Sequence, residues 1–361
     1  MSEAPASRPS QELLRAMTVA ARLYHVDGVR QRDIAERLAT SQARVSRLLR
    51  QAEDHGIVRT VVAVPEGLHP DLEERLEQLH GLSEVHVVEV PGGDGAVATA
   101  LGPAAARLLA DVPLERAVVG FTPWSSTLRA MAASLDGVRR TGAAHVVEML
   151  GDLGPPLLQH EAARATQRLA EALGAEPVFL RTPGVVATPA LRRARLRDPH
   201  VRRALDLLDR LDVAFVGIGP VDFHSGLAGE GFFSADQLAA ARERGAVGQL
   251  DLRLVDARGR AVPTPLDDLV VGATLEQLRG ARRRVAVAGG ASKHEPLAAA
   301  LAGGWVDVLV TDAASARHLL AGPRRDGPPP RAPAARAGHP LTATSRRPPA
   351  DHLTTREGAH R

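Results

Sequence analysis

The chain has 361 residues, with 45 basic side chains, 42 acidic side chains and no cysteine. Without cysteine, neither a disulfide framework nor a thiolate zinc site is available. No stretch has the length and apolarity of a membrane span, and the first residues lack the pattern of a secretory signal. We therefore expect a soluble, cytoplasmic protein with no membrane partner.

Positive charge is concentrated at the two ends of the chain. Residues 1–60 contain ten arginines and seven acidic residues, and residues 322–361 contain eight and three, so residues 61–321 are net acidic. A basic N-terminal segment suits the phosphate backbone of a nucleic acid. The acidic middle segment argues against a protein that coats nucleic acid along its whole length.

Residues 31–50 have the pattern of a helix-turn-helix DNA-binding motif. Two helical segments each carry three apolar residues on one side at helical spacing. These are Ile34, Ala35 and Leu38 in the first segment, and Val45, Leu48 and Leu49 in the second. Ala39 and Thr40 form a short turn, and Ser41 is a suitable N-cap for the second helix.

The side chains outside this apolar face are those that read DNA in such motifs. Short polar groups and guanidinium groups on the second helix contact base edges in the major groove and phosphates beside it. The predicted DNA-binding residues are Gln31, Ser41, Gln42, Ala43, Arg44, Ser46, Arg47 and Arg50. An ordinary helical hairpin with a solvated arginine face is the alternative. The agreement of turn, cap and apolar positions favours DNA binding.

The remaining pattern up to residue 320 predicts an α/β domain. A helix is expected near residues 11–21, a strand at 59–64 and a short helix at 71–80, before apolar runs of strand length alternate with helical segments. The predicted strands are 85–90, 117–120, 144–150, 213–217, 284–288 and 306–310. The predicted helices are 95–110, 125–135, 161–173, 198–211, 234–244, 292–302 and 312–320. This alternation indicates a Rossmann-like parallel sheet covered on both faces.

Three regions follow from these patterns. Residues 1–60 are predicted to form an all-α DNA-binding domain, and residues 61–321 an α/β domain. Residues 322–361 are rich in proline, arginine, glycine and alanine and have almost nothing to bury. We expect this tail to be disordered, and an inert tail is favoured over a basic arm that touches DNA.

The ordered motifs resemble those of SorC-type sugar-binding transcriptional regulators. The resemblance rests on LYHVDGVRQRDIAERLATSQARVSRLL at the front, followed by GFTPWSSTL, VVEMLGDLG, FVGIGP, RGAVGQLDLRLVDARG, VAGGASKHEPLAAAL and VDVLVTDAASARHLL. It implies an effector domain similar in fold to sugar-phosphate isomerases and glucosamine-phosphate deaminases. It also implies that a phosphorylated sugar or polyol changes the affinity for double-stranded operator DNA, and that the protein is a homodimer or homotetramer.

In open α/β sheets ligands bind at the carboxyl ends of the strands, and two predicted strand-to-helix turns lie there. The first turn contains Trp124, Ser125, Ser126 and Thr127. Hydroxyl groups and backbone amides at the start of a helix can hold an anion there. N-capping is the alternative role of the hydroxyls, and filling the core is the alternative to sugar stacking for Trp124.

The second turn contains Gly289, Gly290 and Lys293, the one lysine of the chain. A cation in the first turn of a helix is unfavourable unless an anion binds beside it, so Lys293 is a candidate phosphate ligand.

Three further residues complete the predicted effector site. Gln159 and Gln249 are expected to follow strand ends, where each is either a sugar ligand or a surface glutamine. Asp256 stays a candidate because of its family position, although its VDARG context favours a turn.

We predict no metal and no cofactor, because no histidine pair has ligand spacing on a helix. A sugar-phosphate isomerase or deaminase is the rival function, and Asp222 with His224 could supply its base and acid. No further carboxylate clusters with this pair, and a helix-turn-helix has no role in an isomerase. A non-enzymatic regulator is therefore favoured.

Overall fold

A computed structural model describes residues 9–58, 65, 67–110, 112–135, 141–222 and 233–322. The chain divides into two compact units, residues 1–65 and residues 66–361, and each is described by itself. The predicted strand at 59–64 and the predicted tail from residue 323 lie outside the described residues. Within the described part, none of the helices combines the length and apolarity needed to cross a membrane.

The first unit consists of short helices around a small aliphatic core. Helices α1 (Gln11–Ala21), α2 (Gln31–Arg37) and α3 (Gln42–Asp54) are joined by a π-helical turn at Arg22–Val26 and by the turn at 38–41. The fully buried side chains include Met17, Ile34 and Val45. The Ser41 hydroxyl accepts a 3.2 Å hydrogen bond from the Arg44 amide at the start of α3, as the sequence predicts. The helix-turn-helix is thus confirmed.

The second unit is built on a seven-stranded parallel sheet. Its strands are β1 (Glu84–Val88), β2 (Val118–Phe121), β3 (His145–Glu148), β4 (Glu176–Val178), β5 (Val213–Val216), β9 (Arg283–Val287) and β10 (Val308–Asp312). Their order across the sheet is β1-β10-β9-β5-β2-β3-β4. Phe121 pairs with Phe215 of β5 on one side and with Glu148 of β3 on the other. The predicted Rossmann-like α/β class is confirmed.

Helices cover both faces of this sheet because its strands are apolar on both sides. On one face Val119, Phe121 and Phe215 pack with helices α5 (Val97–Ala110), α6 (Ser126–Ala133) and α7 (Pro156–Leu173). On the other face Ala214 and Val216 pack with another set of helices. These are α4 (Pro70–His80), α9 (Pro199–Leu208), α12 (His294–Ala302) and α13 (Ala313–Ala321).

The structure adds a second, antiparallel sheet that the sequence patterns did not predict. It comprises β6 (Ile218–Gly219), β7 (Ala246–Leu250) and β8 (Arg253–Asp256). Helices α8 (Pro189–Arg195) and α11 (Leu275–Gly280) were also not predicted, whereas α10 (Ala235–Glu243) was. The sequence predicts that Gln249 follows a strand end, but in the structure Gln249 lies within β7.

Two predicted boundaries need correction. Helix α7 begins at Pro156 rather than at residue 161, because two prolines at 155 and 156 fit the start of a helix. The last strand extends to Asp312, which was predicted to begin the helix. The Asp312 carboxylate instead caps α13 by accepting a 2.8 Å hydrogen bond from the Ser315 amide.

Candidate DNA-binding helix and effector site

The outer face of α3 is formed by the residues predicted to contact DNA. Ser41, Gln42, Ala43, Arg44, Ser46, Arg47 and Arg50 are all exposed, and Gln31 is half-buried at the start of α2. Val45, Leu48 and Leu49 are buried on the opposite side of α3. Among the described residues no carboxylate forms an ion pair with Arg44, Arg47 or Arg50. These guanidinium groups are therefore open to a polyanion.

The loop after β2 is connected to the end of β9 by hydroxyl groups. Ser125 and Thr127 share a 2.8 Å hydrogen bond between their hydroxyls, and the buried Thr127 hydroxyl also donates to the carbonyl of Val287. Ser125 occupies the N-cap position of α6, yet its side chain makes no capping bond. Simple N-capping therefore does not account for Ser125. Ser126 is exposed in the first turn of α6.

The turn after β9 is held by Asp312 at the end of the neighbouring strand. The Gly290 amide donates to the Asp312 carboxylate at 2.8 Å and to the Ser315 hydroxyl at 3.1 Å. A Cβ atom at Gly289 would lie 2.2 Å from an Asp312 oxygen, so only glycine fits there. Burial acts to raise the pKa of Asp312, but hydrogen bonds from the Ser315 hydroxyl, the Ser315 amide and the Gly290 amide hold it below its usual value.

Lys293 follows this turn and is half-buried at the N-cap position of α12. Its ammonium has no carboxylate partner among the residues that the structure describes, and desolvation lowers its pKa. The positive end of the α12 dipole disfavours a cation at the same place. An anion bound beside Lys293 would relieve both effects.

Asp251 forms a third group at this edge of the sheet, and the sequence analysis did not select it. Its carboxylate is buried and accepts hydrogen bonds from the Thr122 hydroxyl at 2.7 Å and the Gly217 amide at 3.1 Å, both through Oδ1. Burial raises the pKa of Asp251 to about 7, against the opposing effect of these two bonds. The alternation of polar and apolar residues in QLDLRLVD was the available sequence signal.

The structure gives other predicted ligands structural partners. The indole N–H of Trp124 donates to the Leu150 carbonyl at 3.2 Å within the core. The buried Gln249 side chain accepts the Leu252 amide at 2.7 Å. Asp256 accepts the amides of Arg258 and Arg260, both at 2.9 Å, in the turn after β8. These contacts match the core-filling alternative for Trp124 and the turn alternative for Asp256. The roles of Trp124, Gln249 and Asp256 as effector ligands stay predictions.

Gln159 lies apart from these groups, in the first turn of α7. Its amide donates to the Gly154 carbonyl at 2.8 Å and lines an open depression of 320 Å³ with Asp152, Leu153, Pro183 and Val185. The depression follows the carboxyl ends of β3 and β4. Ser125 and Thr127 therefore follow β2 and Lys293 follows β9, both central strands of the sheet, whereas Gln159 follows β3, nearer to the edge of the sheet.

Glu148 at the end of β3 is a second buried carboxylate, and the sequence did not predict a role for it. It accepts the Thr166 hydroxyl at 2.9 Å and the Leu180 amide at 3.0 Å, and burial raises its pKa to about 7. It connects β3 to α7 and to the chain after β4. No group of three or more potential metal ligands occurs in the described parts of the chain.

A helix-turn-helix and an α/β domain with candidate ligand groups at its carboxyl edge define the class of ligand-responsive transcriptional regulators. Residues 68–321 match the family described as "Putative sugar-binding domain". The deoxyribonucleoside regulator of Bacillus subtilis is 30% identical over 302 residues, which cover 83% of this chain and 96% of that protein. The sorbitol operon regulator of Klebsiella pneumoniae is 27% identical, with 85% and 98% covered.

The fold agrees with this sequence similarity. The crystal structure of the full-length sorbitol operon regulator SorC from Klebsiella pneumoniae matches with a TM-score of 0.63 at 25% identity. The match covers 86% of this chain and all of that one. The chain belongs to the family of sugar-binding transcriptional regulators, so the resemblance seen in the sequence motifs is confirmed.

Proposed function

We propose that the protein binds operator DNA through α3, and that a phosphorylated sugar or polyol bound at the carboxyl edge of the parallel sheet changes this affinity. The names of the two relatives refer to deoxyribonucleosides and to sorbitol, which are sugar-containing and polyol compounds. The observation that carries the proposal for a phosphorylated ligand is the environment of Lys293.

A phosphate group fits this environment better than a neutral sugar does. The Lys293 ammonium is desolvated, lies at the start of α12 and has no described carboxylate partner. A phosphate would supply the missing negative charge and would also favour the helix dipole. Ser125 and Thr127 belong to the same edge of the sheet, because Thr127 is bonded to the last residue of β9. We assign Lys293 to the phosphate and these hydroxyls to its surroundings.

The remaining assignments follow from DNA binding. A single helix-turn-helix contacts too little DNA for tight, specific binding, so we assign a homodimer or homotetramer to the protein and oligomerisation to the α/β domain. The DNA partner places the protein in the cytoplasm.

The candidates for further effector contacts stay Trp124, Ser126, Gln159, Gln249 and Asp256.

We assign no catalytic activity. The isomerase alternative needs a free carboxylate base, whereas Asp222 forms an ion pair with Arg242 on α10. His224, the other member of the candidate pair, lies outside the described residues.

A thermal-shift panel tests the proposal. The full chain is heated with pentose, hexose and hexitol phosphates and with the matching unphosphorylated compounds. A ligand at a hundred times its dissociation constant should stabilise the protein by about 2.7 kcal/mol. We expect only phosphorylated compounds to do so, and Lys293→Met to lose the effect.

The control variant is Arg107→Met, which removes a positive charge from an exposed position of α5. It should respond as the wild type does. The proposal fails if no phosphorylated compound raises the melting temperature, or if the Lys293→Met variant responds as strongly as the wild type.

A further inference from the structure

Asp251 lies where the strand order of the parallel sheet reverses. After β2 the chain continues to β3 and β4 on one side, and β5 then returns to the other side of β2. The Asp251 carboxylate bonds to Thr122, which follows β2, and to Gly217, which follows β5. Ligands of open α/β sheets bind outside the carboxyl ends of the strands at such a reversal point.

The second oxygen of this carboxylate has no partner among the described residues. Oδ2 of Asp251 is buried and makes no hydrogen bond to any group in the described part of the chain. A buried acceptor without a hydrogen bond is costly, and native structures contain few of them. The side chain is otherwise well held, so Oδ2 is an acceptor fixed in position.

The backbone at this position is strained. Asp251 and its neighbour Leu252 have φ angles of +48° and +65° in the turn between β7 and β8, a region that favours glycine. Gly217 accommodates the carboxylate, because a Cβ atom there would lie 2.7 Å from Asp251 Oδ1. Strained residues and unsatisfied polar atoms cluster at ligand sites, and Asp251 combines both.

Asp251 belongs to the same edge of the sheet as Lys293. Strand β6, which directly follows Gly217, contacts the turn at Ala291–Lys293, and β7, which directly precedes Asp251, packs against α12. A Cβ atom at Gly248 of β7 would lie 2.8 Å from a side-chain atom of Pro296. These contacts connect the segments that carry Asp251 and Lys293.

We propose that Asp251 Oδ2 accepts a hydrogen bond from a hydroxyl group of the effector, with Thr122 as a positioning residue. The inference rests on the proposed function and narrows the effector class. The effector carries a phosphate for Lys293 and at least one free hydroxyl on its carbon chain for Asp251. A hydroxyl suits Oδ2 because it can both donate and accept a hydrogen bond, so it fits the Asp251 side chain in its ionised and in its protonated form.

Calorimetry with two kinds of probe tests this assignment. The full chain is titrated with inorganic phosphate and with the panel of pentose, hexose and hexitol phosphates. We expect at least one panel member to bind at least tenfold more tightly than inorganic phosphate. Asp251→Asn should reduce that affinity about tenfold and leave the affinity for inorganic phosphate within twofold of wild type.

Two further variants distinguish a direct contact between Asp251 and the effector from a structural role of Asp251 and from a general effect of charge. Thr122→Val removes one hydrogen bond to Oδ1 but leaves Oδ2 in place, so it should retain more of the affinity for the sugar phosphate than Asp251→Asn does. Asp268→Asn removes a negative charge from an exposed position in the same unit and should change neither affinity.

Each alternative result has a defined meaning. If the wild type binds neither inorganic phosphate nor any panel member, the proposed phosphate site fails, and this inference fails with it. If phosphate binds but no panel member binds more tightly, Asp251 contacts no effector hydroxyl and the inference is overturned. The same holds if Asp251→Asn changes neither affinity, in which case a buried water accounts for Oδ2. An equal loss for both probes in Asp251→Asn assigns the residue to structure and overturns the inference.

Discussion

Ala39, in the turn between α2 and α3, adopts a backbone conformation that favours glycine. Its φ is +47°, a left-handed value that costs an L-residue about 1–2 kcal/mol. Ala39→Gly removes this cost but raises the entropy of the unfolded chain, which offsets about 0.5–1 kcal/mol. We therefore predict that Ala39→Gly stabilises the first unit by about 0.5–1 kcal/mol, measured by hydrogen exchange of the Ile34 and Val45 amides in the full chain.

Ala16 provides the matched control for this substitution, because it lies within the regular helix α1. Ala16→Gly should destabilise the same amides by about 1 kcal/mol. Faster exchange in Ala39→Gly, with Ala16→Gly destabilising as expected, would contradict a left-handed backbone at Ala39.

Glu148 makes the stability of the second unit depend on pH. In the folded protein Glu148 has a pKa of about 7, whereas an ordinary glutamate has a pKa of 4.5. The folded state therefore binds more protons than the unfolded state between these values, so stability falls as the pH rises through this window. The shift corresponds to roughly 3 kcal/mol for this group.

Glu148→Gln should remove this part of the pH dependence. We predict that its free energy of unfolding rises relative to wild type by roughly 3 kcal/mol between pH 4.5 and 8. Urea unfolding followed by tryptophan fluorescence measures it, because Trp124 and Trp305 both lie in the second unit. Glu161→Gln, at an exposed position of α7, is the control. Parallel profiles for wild type and Glu148→Gln would contradict the assignment.

Single residues were predictable from the sequence where their role is local. The Ser41 cap follows from residue type and position, and the structure contains the expected bond. Asp251 could not be identified in this way, since its turn places Leu252 at a positive φ without glycine or asparagine to signal it. The contact of Thr127 with Val287 joins residues 160 positions apart, which no local pattern reveals.

At the scale of elements, α3 is assigned to DNA recognition and Arg47 is its central exposed arginine. Arg47→Ala should weaken specific DNA binding by about 1–3 kcal/mol and relax the preference at one base pair, if the guanidinium contacts a guanine. The measurement is fluorescence anisotropy at fixed salt, on a duplex selected by the protein from a random library.

Arg15→Ala serves as the control, because it removes the same charge from an exposed position on α1. It should change affinity less and leave base preference unaltered. Wild-type affinity and base preference in Arg47→Ala would remove α3 from the role of recognition helix.

Long apolar elements were predictable, and short ones were not. The six strands predicted between residues 85 and 310 all occur in the parallel sheet, because continuous apolar runs are typical of strands buried on both faces. Strands β4 and β6 contain only three and two residues, too few for a periodic signal. The hairpin of β7 and β8 alternates polar and apolar residues, yet its turn has no glycine, so the pattern was not assigned to strands.

At the scale of the whole molecule, we expect a symmetric oligomer, because a single helix-turn-helix contacts too little DNA for tight, specific binding. Two-fold pairing would place half-sites about one helical turn of DNA, or a multiple of it, apart. We predict a dimer or tetramer in sedimentation experiments at micromolar concentration, and a palindromic sequence among the selected duplexes. Monomers alone, with the selected duplex present, would contradict this prediction.

The central claim is that an effector at the sheet edge and DNA at α3 affect each other's binding. The most direct measurement is anisotropy of the selected duplex with the full chain, titrated with the phosphorylated compound that stabilises it most. The account predicts a change in DNA affinity of about 5- to 150-fold, in the range typical of allosteric coupling. Lys293→Met should need at least tenfold more of the compound for the same change and should bind the duplex normally without it. An unchanged DNA affinity at saturating compound, or an identical titration curve for Lys293→Met, would contradict the account.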